Sequence, residues 1–161
     1  MSRAQDDVGL LVARYLTEAG IDHQPGRRPG EVVVSLPGDH KLGTTVSLLV
    51  GDHSLSVSAF VIRGPDENVD EVHSWLLRRN ARLTGVAFAL DHQGDVYLVG
   101  RLPLTAVTPS TLDSLLGAVL DAADCSFDPL LALGFRSAMQ REWDWRVARG
   151  EPTKNLDAFR H

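Results

Sequence analysis

The sequence predicts an α+β fold, in which an antiparallel sheet of about five strands packs against helices on one face. Three observations carry this prediction: an amphipathic helix at the start, strand-like runs rich in Val, Ser, Thr and Leu joined by short turns, and a helical last third. One run alternates apolar residues with serines, which is typical of a strand that is buried on one side and solvated on the other. The predicted order of elements is α-β-β-β-α-β-β-α-α.

The size and composition of the chain favour one domain. It has 161 residues, of which 43% are hydrophobic, and this supplies one well-filled core. We expect that domain to span residues 1–150. The polar stretch 151–161 is expected to be a mobile C-terminal tail outside the core, with only Leu156 and Phe159 as anchors.

The charge balance and the cysteine count restrict the partners and the compartment. The 21 Asp and Glu exceed the 16 Lys and Arg, giving a net charge of -5, which argues against nucleic acid as a partner. The lone Cys125 leaves no internal disulfide. Acidic residues at the N-terminus and the lack of an apolar run of roughly 18 residues argue against export and against a membrane partner. We therefore expect a cytoplasmic protein.

The first helix is predicted by periodicity and by its ends. Ser2 and Gln5 are spaced as a capping box, and Gly20 follows where a left-handed residue ends a helix. Residues 24–30 are rich in proline and glycine and are expected to form a loop. The apolar residues that recur at helical spacing are Val8, Leu11, Val12, Tyr15, Leu16 and Ala19.

Three strands are expected next, over residues 31–36, 44–50 and 55–62, joined by the short turns 37–40 and 51–53.

The second helix should begin at Asn68, capped by that side chain and paired with Glu71. Strands over 84–90 and 95–102 follow, and they flank a hairpin loop in which Gly94 can adopt positive φ.

The last third is expected to form two helices. Thr108 caps the first helix and Pro109 occupies its first turn. The chain should cap again at Asp128 and Pro129, and continue as a long helix to Gly150.

The stretch over residues 75–102 resembles the YbjN family, described as "putative bacterial sensory transduction regulators". The features that carry the resemblance are a helix closed by an asparagine, an apolar strand, a glycine turn and a second strand, at Asn80, Phe88, Gly94, Val96 and Leu98. The resemblance extends from about Val8 to Val147, and the helices after the GRLPL segment look like those of actinobacterial members. It implies a fold similar to that of type III secretion chaperones, which are small acidic homodimers that bind extended client segments. It therefore implies a homodimer that is not an enzyme and uses no cofactor and no metal.

Two tryptophans in the last helix are candidates for partner binding. Trp143 and Trp145 are two residues apart, so their rings point to different sides of the helix. A tryptophan with arginine neighbours is typical of interface hot spots. The alternative is a ring that lies over the edge of its own domain. This long helix exceeds the layout of the secretion chaperones.

A cluster of arginines is the second candidate. Arg78, Arg79 and Arg82 suit the negative end of the second helix, and together with Arg101 they could accept an acidic segment of a partner. Phe60 interrupts the serine alternation of its strand and joins the candidate partner-binding residues.

Four Asp-His dipeptides raise the alternative of a catalytic or metal site. All four fall in predicted turns, where aspartate is favoured because it bonds nearby backbone amides. His73 is expected to be a buried ring bonded to a backbone carbonyl or to Asn80. Cys125 is expected to pack at a helix junction, with a pKa raised by its acidic setting. No serine nucleophile elbow, phosphate loop or dinucleotide fingerprint occurs.

The preferred hypothesis is a chaperone-like or regulatory adaptor without enzymatic activity. It would bind a segment of a partner protein, whose identity the sequence does not give, through an exposed face or edge of the sheet. One alternative is a small-molecule sensor with a pocket between the sheet and the last helix. The other is a small hydrolase built on the Asp-His turns.

Overall fold

A computed structural model describes the backbone of residues 1–159 and the side chains of residues 1–157. Four α-helices and six strands lie in the order α1-β1-β2-β3-β4-α2-β5-β6-α3-α4, with a 3-10 turn over Leu104–Ala106 and a 3-10 segment over Lys154–Phe159. Their bounds are α1 Arg3–Glu18, β1 His23–Pro25, β2 Glu31–Pro37, β3 Gly43–Val50, β4 Ser54–Ile62, α2 Val69–Asn80, β5 Ala87–Leu90, β6 Val96–Pro103, α3 Pro109–Gly134 and α4 Arg136–Arg149.

The strands form one antiparallel sheet in the order β1-β2-β3-β4-β6-β5. The predicted α+β class with an antiparallel sheet is confirmed. The prediction of about five strands is one short, because β1 lies partly inside the expected loop over 24–30. β1 has three residues and pairs Gln24 with Val33 at the edge of the sheet, where a proline such as Pro25 is tolerated.

The core lies between the sheet and the helices α1, α2 and α3. In β3 and β4 alternate side chains are buried, so each strand has one face in the core. The predicted stripe of α1 packs there, and the Ser2–Gln5 capping box is formed. The largest fully buried side chains come from all these layers: Leu16, Leu48, Leu55, Leu98, Leu112 and Leu130.

The start of α2 differs from the prediction. Asn68 adopts a left-handed conformation, with φ at 53°, and its side chain makes no cap. Its Nδ2 donates instead to the carbonyl oxygen of Leu133, at 2.9 Å. The side chain is thus used to hold α3, a tertiary contact that local spacing does not reveal.

The predicted break at Asp128 and Pro129 is also wrong, because α3 runs through both residues to Gly134. The helix ends where the loop before α2 holds it: the backbone N–H groups of Asp66 and Glu67 both donate to the Gly134 carbonyl. The Glu67 carboxylate then accepts the backbone N–H of Ser137 at 2.7 Å, which satisfies an open donor at the start of α4.

The segment after Gly150 folds back on the helices. Leu156 is buried, as expected of an anchor. Arg146 donates to the Pro152 carbonyl at 3.3 Å and to Asn155 Oδ1 at 2.8 Å. The second expected anchor, the Phe159 side chain, lies outside the described residues, as do residues 160 and 161.

A pair of glycines in α3 tests the packing at its end. A Cβ added at Gly134 would lie 2.8 Å from Pro65 Cβ and 3.2 Å from Val72 Cγ2, whereas a Cβ at Gly117 meets nothing within 4 Å. We expect Gly134→Ala to lower the free energy of unfolding by about 1–3 kcal/mol through overpacking. Gly117→Ala should raise it by roughly 0.5–1 kcal/mol. Urea denaturation measures both, and equal effects of the two variants would contradict this packing.

Candidate functional site: the open face of the sheet

The sheet face opposite the helices carries few charges. We call it the open face. Its strand positions include Glu31, Val33, Ser35, Thr45, Ser47, Leu49, Ser54, Ser56, Ser58, Phe60, Ala87, Ala89, Tyr97, Val99 and Arg101. Glu31 and Arg101 are the charged residues in this set. Exposed protein surfaces usually contain about 25–35% charged residues, and depletion of charge is typical of the centre of interfaces.

A row of small side chains crosses the middle of the open face. The strand register places Val33 beside Ser47, Ser47 beside Ser58, Ser58 beside Val99, and Val99 beside Ala87. No side chain in this row is larger than valine. The row therefore lets a partner's backbone or bulky side chains approach the sheet closely.

An aromatic pair lies next to this row. Phe60 of β4 and Tyr97 of β6 are register partners, with ring centroids 5.5 Å apart and planes at 80°. Phe60 remains 40% exposed. Edge-to-face aromatic pairs are rigid and bury a large apolar area when a partner covers them. Phe60, a predicted partner-binding residue, thus lies on the open face.

Lys41 fixes a positive charge beside the aromatic pair. Its Nζ donates to the Phe60 carbonyl at 2.8 Å and lies 5.6 Å from the centroid of the Phe60 ring. Burial lowers the pKa of this ammonium group. A single lysine therefore contacts both the backbone and the ring of Phe60.

The loop that carries Lys41 is tied to α3. Asp124 Oδ1 accepts the backbone N–H groups of His40, at 2.9 Å, and of Lys41, at 3.1 Å. Partial burial raises the pKa of Asp124, but these backbone hydrogen bonds more than offset it and the pKa lies below its usual value. His40 Nδ1 also lies 2.8 Å from Asp128 Oδ2. The helical layer thereby positions a residue at the open face.

Glu31, the acidic residue of the open face, is paired with an arginine of the same chain. Arg28 donates to both carboxylate oxygens of Glu31, at 3.0 and 3.2 Å, and Ser47 Oγ donates at 2.6 Å. The hydrogen bonds from Arg28, and then the one from Ser47, lower the pKa of Glu31 to about 2. Arg27, in contrast, is exposed and lines a surface groove that also includes Val33.

The β5 edge of the sheet is closed by one side chain. Asn80, the last residue of α2, accepts the backbone N–H of Phe88 at 2.7 Å and donates to its carbonyl oxygen at 3.1 Å. These are the outward-facing groups of a central residue of the edge strand, and an added strand would need them. Asn80, the asparagine that closes the second helix, thus bonds the backbone of β5.

The β1 edge is closed by length and by proline. The bonds from Ser35 N to Asp22 O and from Gly26 N to Glu31 O show which groups of this segment face β2. His23 and Pro25 therefore face outward, and Pro25 has no N–H to donate. In the described residues, the short β1 and the bonds of Asn80 to Phe88 leave neither edge with an uninterrupted set of free backbone groups.

A groove between α2 and β5 lies on the helical side of the β5 edge. Its volume is about 350 Å³, and its lining residues are His73, Leu76, Leu77, Asn80, Phe88, Ala89 and Leu90. Leu77 is 71% exposed at this groove. His73 is half-buried on the groove wall, and Asn80, its expected partner, uses its side chain on Phe88.

The predicted tryptophans lie away from the open face. Trp145 is 48% exposed on α4, and the Arg149 guanidinium lies 4.6 Å from the centroid of its ring. Trp143 is half-buried on the same helix. α4 packs against α3 and the 3-10 segment.

The predicted arginines lie in two layers. Arg78 lines a surface depression with Glu71 and Trp75 in the helical layer, while Arg101 projects from the open face. Arg79 lies close enough to Cys125 of α3 to affect the pKa of its thiol, and Arg82 is exposed just after α2.

The thiol of Cys125 is not at a helix junction as expected. It is exposed within α3, because that helix continues past it. Desolvation, and then Asp121 at 3.6 Å, raise the pKa of the thiol.

Two histidines of the Asp-His pairs have different partners. His23 Nδ1 lies 2.8 Å from the Ile21 carbonyl, while His40 contacts Asp128. Among residues 1–157, His, Cys, Asp and Glu side chains form no group of three or more suited to a metal ion. Over the same part of the chain, no helix combines the length and the apolar character needed to cross a bilayer.

Comparison with solved structures defines the class of fold. The type III secretion chaperone SycH of Yersinia pestis, in complex with a stable fragment of YscM2, matches 72% of this chain and 96% of its own at a TM-score of 0.51 and 19% identity. The ExsC–ExsE complex matches 78% of this chain and 94% of that chain, at a TM-score of 0.54 and 22% identity. The HopA1–SchA chaperone–effector complex matches 76% of this chain and 94% of that chain, at a TM-score of 0.55 and 13% identity. The fold is that of the type III secretion chaperones.

The chain belongs to the YbjN family. The family profile, described as "Putative bacterial sensory transduction regulator", matches residues 11–132. A relative in Mycobacterium bovis, named as an uncharacterised protein, is 53% identical over 138 residues, which are 86% of this chain and 75% of the relative. A Mycobacterium leprae relative is 52% identical over 130 residues, which are 81% of this chain and 71% of the relative. α4 begins after the end of the profile match.

Removing the Asn80 amide tests the closed edge. In Asn80→Ala the Phe88 N–H and carbonyl lose their partners, and we expect the free energy of unfolding to fall by about 1–3 kcal/mol. Exchange of the Phe88 amide hydrogen should also accelerate. Denaturation and hydrogen exchange by NMR measure the two effects. Gln93→Ala, in an exposed turn, is the control and should change neither; an unchanged Phe88 exchange rate in Asn80→Ala would contradict the closure.

The Glu31 cluster predicts a pH dependence. A carboxyl whose pKa is lowered by folding stabilises the protein above its unfolded pKa of roughly 4.3, and this contribution disappears as the pH falls through its folded pKa. For Glu31, the loss should therefore extend from the unfolded value down to a folded pKa of about 2. Glu31→Gln should flatten the acid limb of the stability–pH curve in this window. Glu18→Gln, in an exposed acid at the end of α1, should leave the limb unchanged, and equal curves for the two variants would refute the assignment.

Proposed function

We propose that this protein is a chaperone-like binding module without enzymatic activity, and that it holds a segment of a partner protein on the open face. The single observation that carries the proposal is the open face itself: its outward side chains are mostly small or apolar, Phe60 and Tyr97 lie beside the small-residue row, and both edges are closed. A role as a regulatory adaptor in the cytoplasm is part of the same proposal.

The dimensions of the open face suit a segment. The four long strands span about 19 Å at a spacing of ~4.8 Å, and about seven residues of each cover roughly 23 Å. The resulting area of about 440 Å² is well below the roughly 800 Å² that each partner contributes to a standard interface between folded proteins. A single helix or extended stretch of a partner fits this area better than a whole domain does.

The comparisons support the proposal at the level of the fold. The similar solved structures are complexes, one of a chaperone with an effector and another of a chaperone with a fragment of YscM2. The family description supports the regulatory part.

The same proposal assigns the groove between α2 and β5 to a second copy of the chain. Leu77 is exposed on the wall of an apolar groove, so the same surface has a protruding apolar side chain and a cavity that could receive one. Such a surface is self-complementary under two-fold symmetry. Because Asn80 occupies the Phe88 backbone, this contact would form through side chains and not through a shared sheet.

A charge placed on the open face tests partner binding. Val99 is 37% exposed within the small-residue row, and Leu10 is 68% exposed on α1. Random 16-residue peptides displayed on phage are selected on the wild type, and the enriched peptides are measured by fluorescence anisotropy. Val99→Asp should weaken them by at least about tenfold, because a carboxylate would be desolvated without a partner.

Leu10→Asp is the matched control and should bind as the wild type does. Failure to enrich any peptide, or equal affinity for Val99→Asp and the wild type, would contradict binding at the open face.

The dimer is tested separately by light scattering. The wild type should scatter as a particle of twice 17.5 kDa. Leu77→Asp should shift it to the monomer, because the charge would be buried at the two-fold contact. Leu10→Asp should remain a dimer; a monomeric wild type, or an undisturbed Leu77→Asp dimer, would contradict the assignment.

A further inference from the structure

We propose that the segment bound on the open face has an apolar centre and acidic residues at both ends. This inference rests on the proposed function and specifies the chemistry of the partner. It follows from the cations that surround the open face and from the state of the one acid within it.

The charges around the open face are unbalanced. Arg101 projects from the face, Arg27 lines the groove that opens beside Val33, and Lys41 lies against Phe60. No ion pair to an acid is formed by these three cations within residues 1–157. Glu31, the acid of the face, is paired with Arg28. These residues thus carry an excess of positive charge in a chain whose net charge is -5.

The positions of the cations suit the two ends of a short segment. Strand register places Glu31, Leu49, Ser56 and Arg101 in one row across four strands. Three strand spacings of ~4.8 Å separate the β2 end of this row from Arg101 by about 14 Å. A helix covers that distance in roughly ten residues. One end of such a segment would lie near Arg27, and the other near Arg101.

The chemistry between these ends is apolar. Between Glu31 and Arg101 this row carries Leu49 and Ser56, and the neighbouring row of Val33, Ser47, Ser58 and Val99 also offers no charge. A charged residue in the middle of the segment would therefore lose its hydration without a partner. At the ends, a carboxylate can form two hydrogen bonds with one guanidinium, which gives both strength and orientation. A segment with basic ends would instead face like charges, which excludes wrong partners.

A single-stranded nucleic acid is the other polyanion that an aromatic pair with arginines can bind. The structure favours a protein segment. Phe60 and Tyr97 pack edge to face at 80°, so they do not present two parallel surfaces for successive bases. The net charge of -5 also opposes approach of a nucleic acid. The experiment therefore also measures binding of an RNA oligonucleotide.

The experiment uses designed peptides and the full chain. Two 16-residue probes share a Leu- and Ala-rich centre; one has two aspartates at each end and the other has two lysines. Fluorescence anisotropy gives their affinities for the wild type at 50 and 300 mM NaCl. We expect the aspartate probe to bind at least about tenfold tighter, with a difference that shrinks at the higher salt concentration.

Charge-reversed variants locate the effect. Arg27→Glu/Arg101→Glu should lose the preference for the aspartate probe or reverse it. The matched control Arg3→Glu/Arg14→Glu changes the net charge equally on exposed positions of α1 and should keep the preference.

The outcomes separate this inference from the proposed function. Equal binding of both probes by the wild type, with loss of both in Val99→Asp, would overturn the acidic ends and support the open face. Binding of neither probe, or binding that Val99→Asp does not change, would overturn both. Tighter binding of a 12-nucleotide oligouridine than of the aspartate probe would overturn the inference in favour of a nucleic-acid platform.

Discussion

The packing of α1, α2 and α3 against a single face of the sheet is the constraint on which the remaining structure depends. Burial of alternate residues in β3, β4 and β6 satisfies the core from one side and leaves the other side uncovered. A six-stranded sheet with one uncovered face and two free edges would invite unspecific pairing with other strands. Both edges are protected against such pairing. Asn80 bonds the backbone of β5, and the short β1 ends at Pro25.

The helical layer also determines the shape of the open face. Asp124 of α3 holds the loop from which Lys41 reaches the Phe60 ring, so a helix residue positions a cation on the opposite side of the sheet. A similar connection fixes the other end of α3, where Asn68 and Glu67 hold Leu133 and Ser137. Both connections use side chains that would otherwise stabilise only their own loop or helix end. Such tertiary contacts restrict the motion of the segments that they join, and preorganisation of this kind reduces the entropy lost on binding.

Much of the fold could be predicted because its elements carry local periodicity. The α1 stripe, the serine alternation of β4 and the Gly94 turn are all visible in short windows of sequence, and all are present. Errors arose where a tertiary contact overrides the local pattern. Asn68 caps nothing because it bonds α3, and Pro129 does not end α3 because the surrounding helix is packed.

The candidate site was harder to predict for the same reason. Phe60 was identified because it interrupts a regular alternation, but the row through Ser47, Ser58 and Val99 exists only once the register of four strands is known. The arginines at the end of α2 and Arg101 share a charge type in the sequence, yet they belong to different layers of the fold. Trp145 remains a candidate contact of a helix that follows the end of the family match.

The central claim is that a partner segment lies on the open face while both edges stay closed. The most direct measurement is an isotope-edited NOE experiment on the complex with the tightest selected peptide. The account predicts contacts from the peptide to the side chains of Phe60, Tyr97 and Val99, with the hydrogen bonds between Asn80 and Phe88 retained. Contacts between peptide and β5 backbone protons, together with displacement of the Asn80 side chain from Phe88, would contradict it.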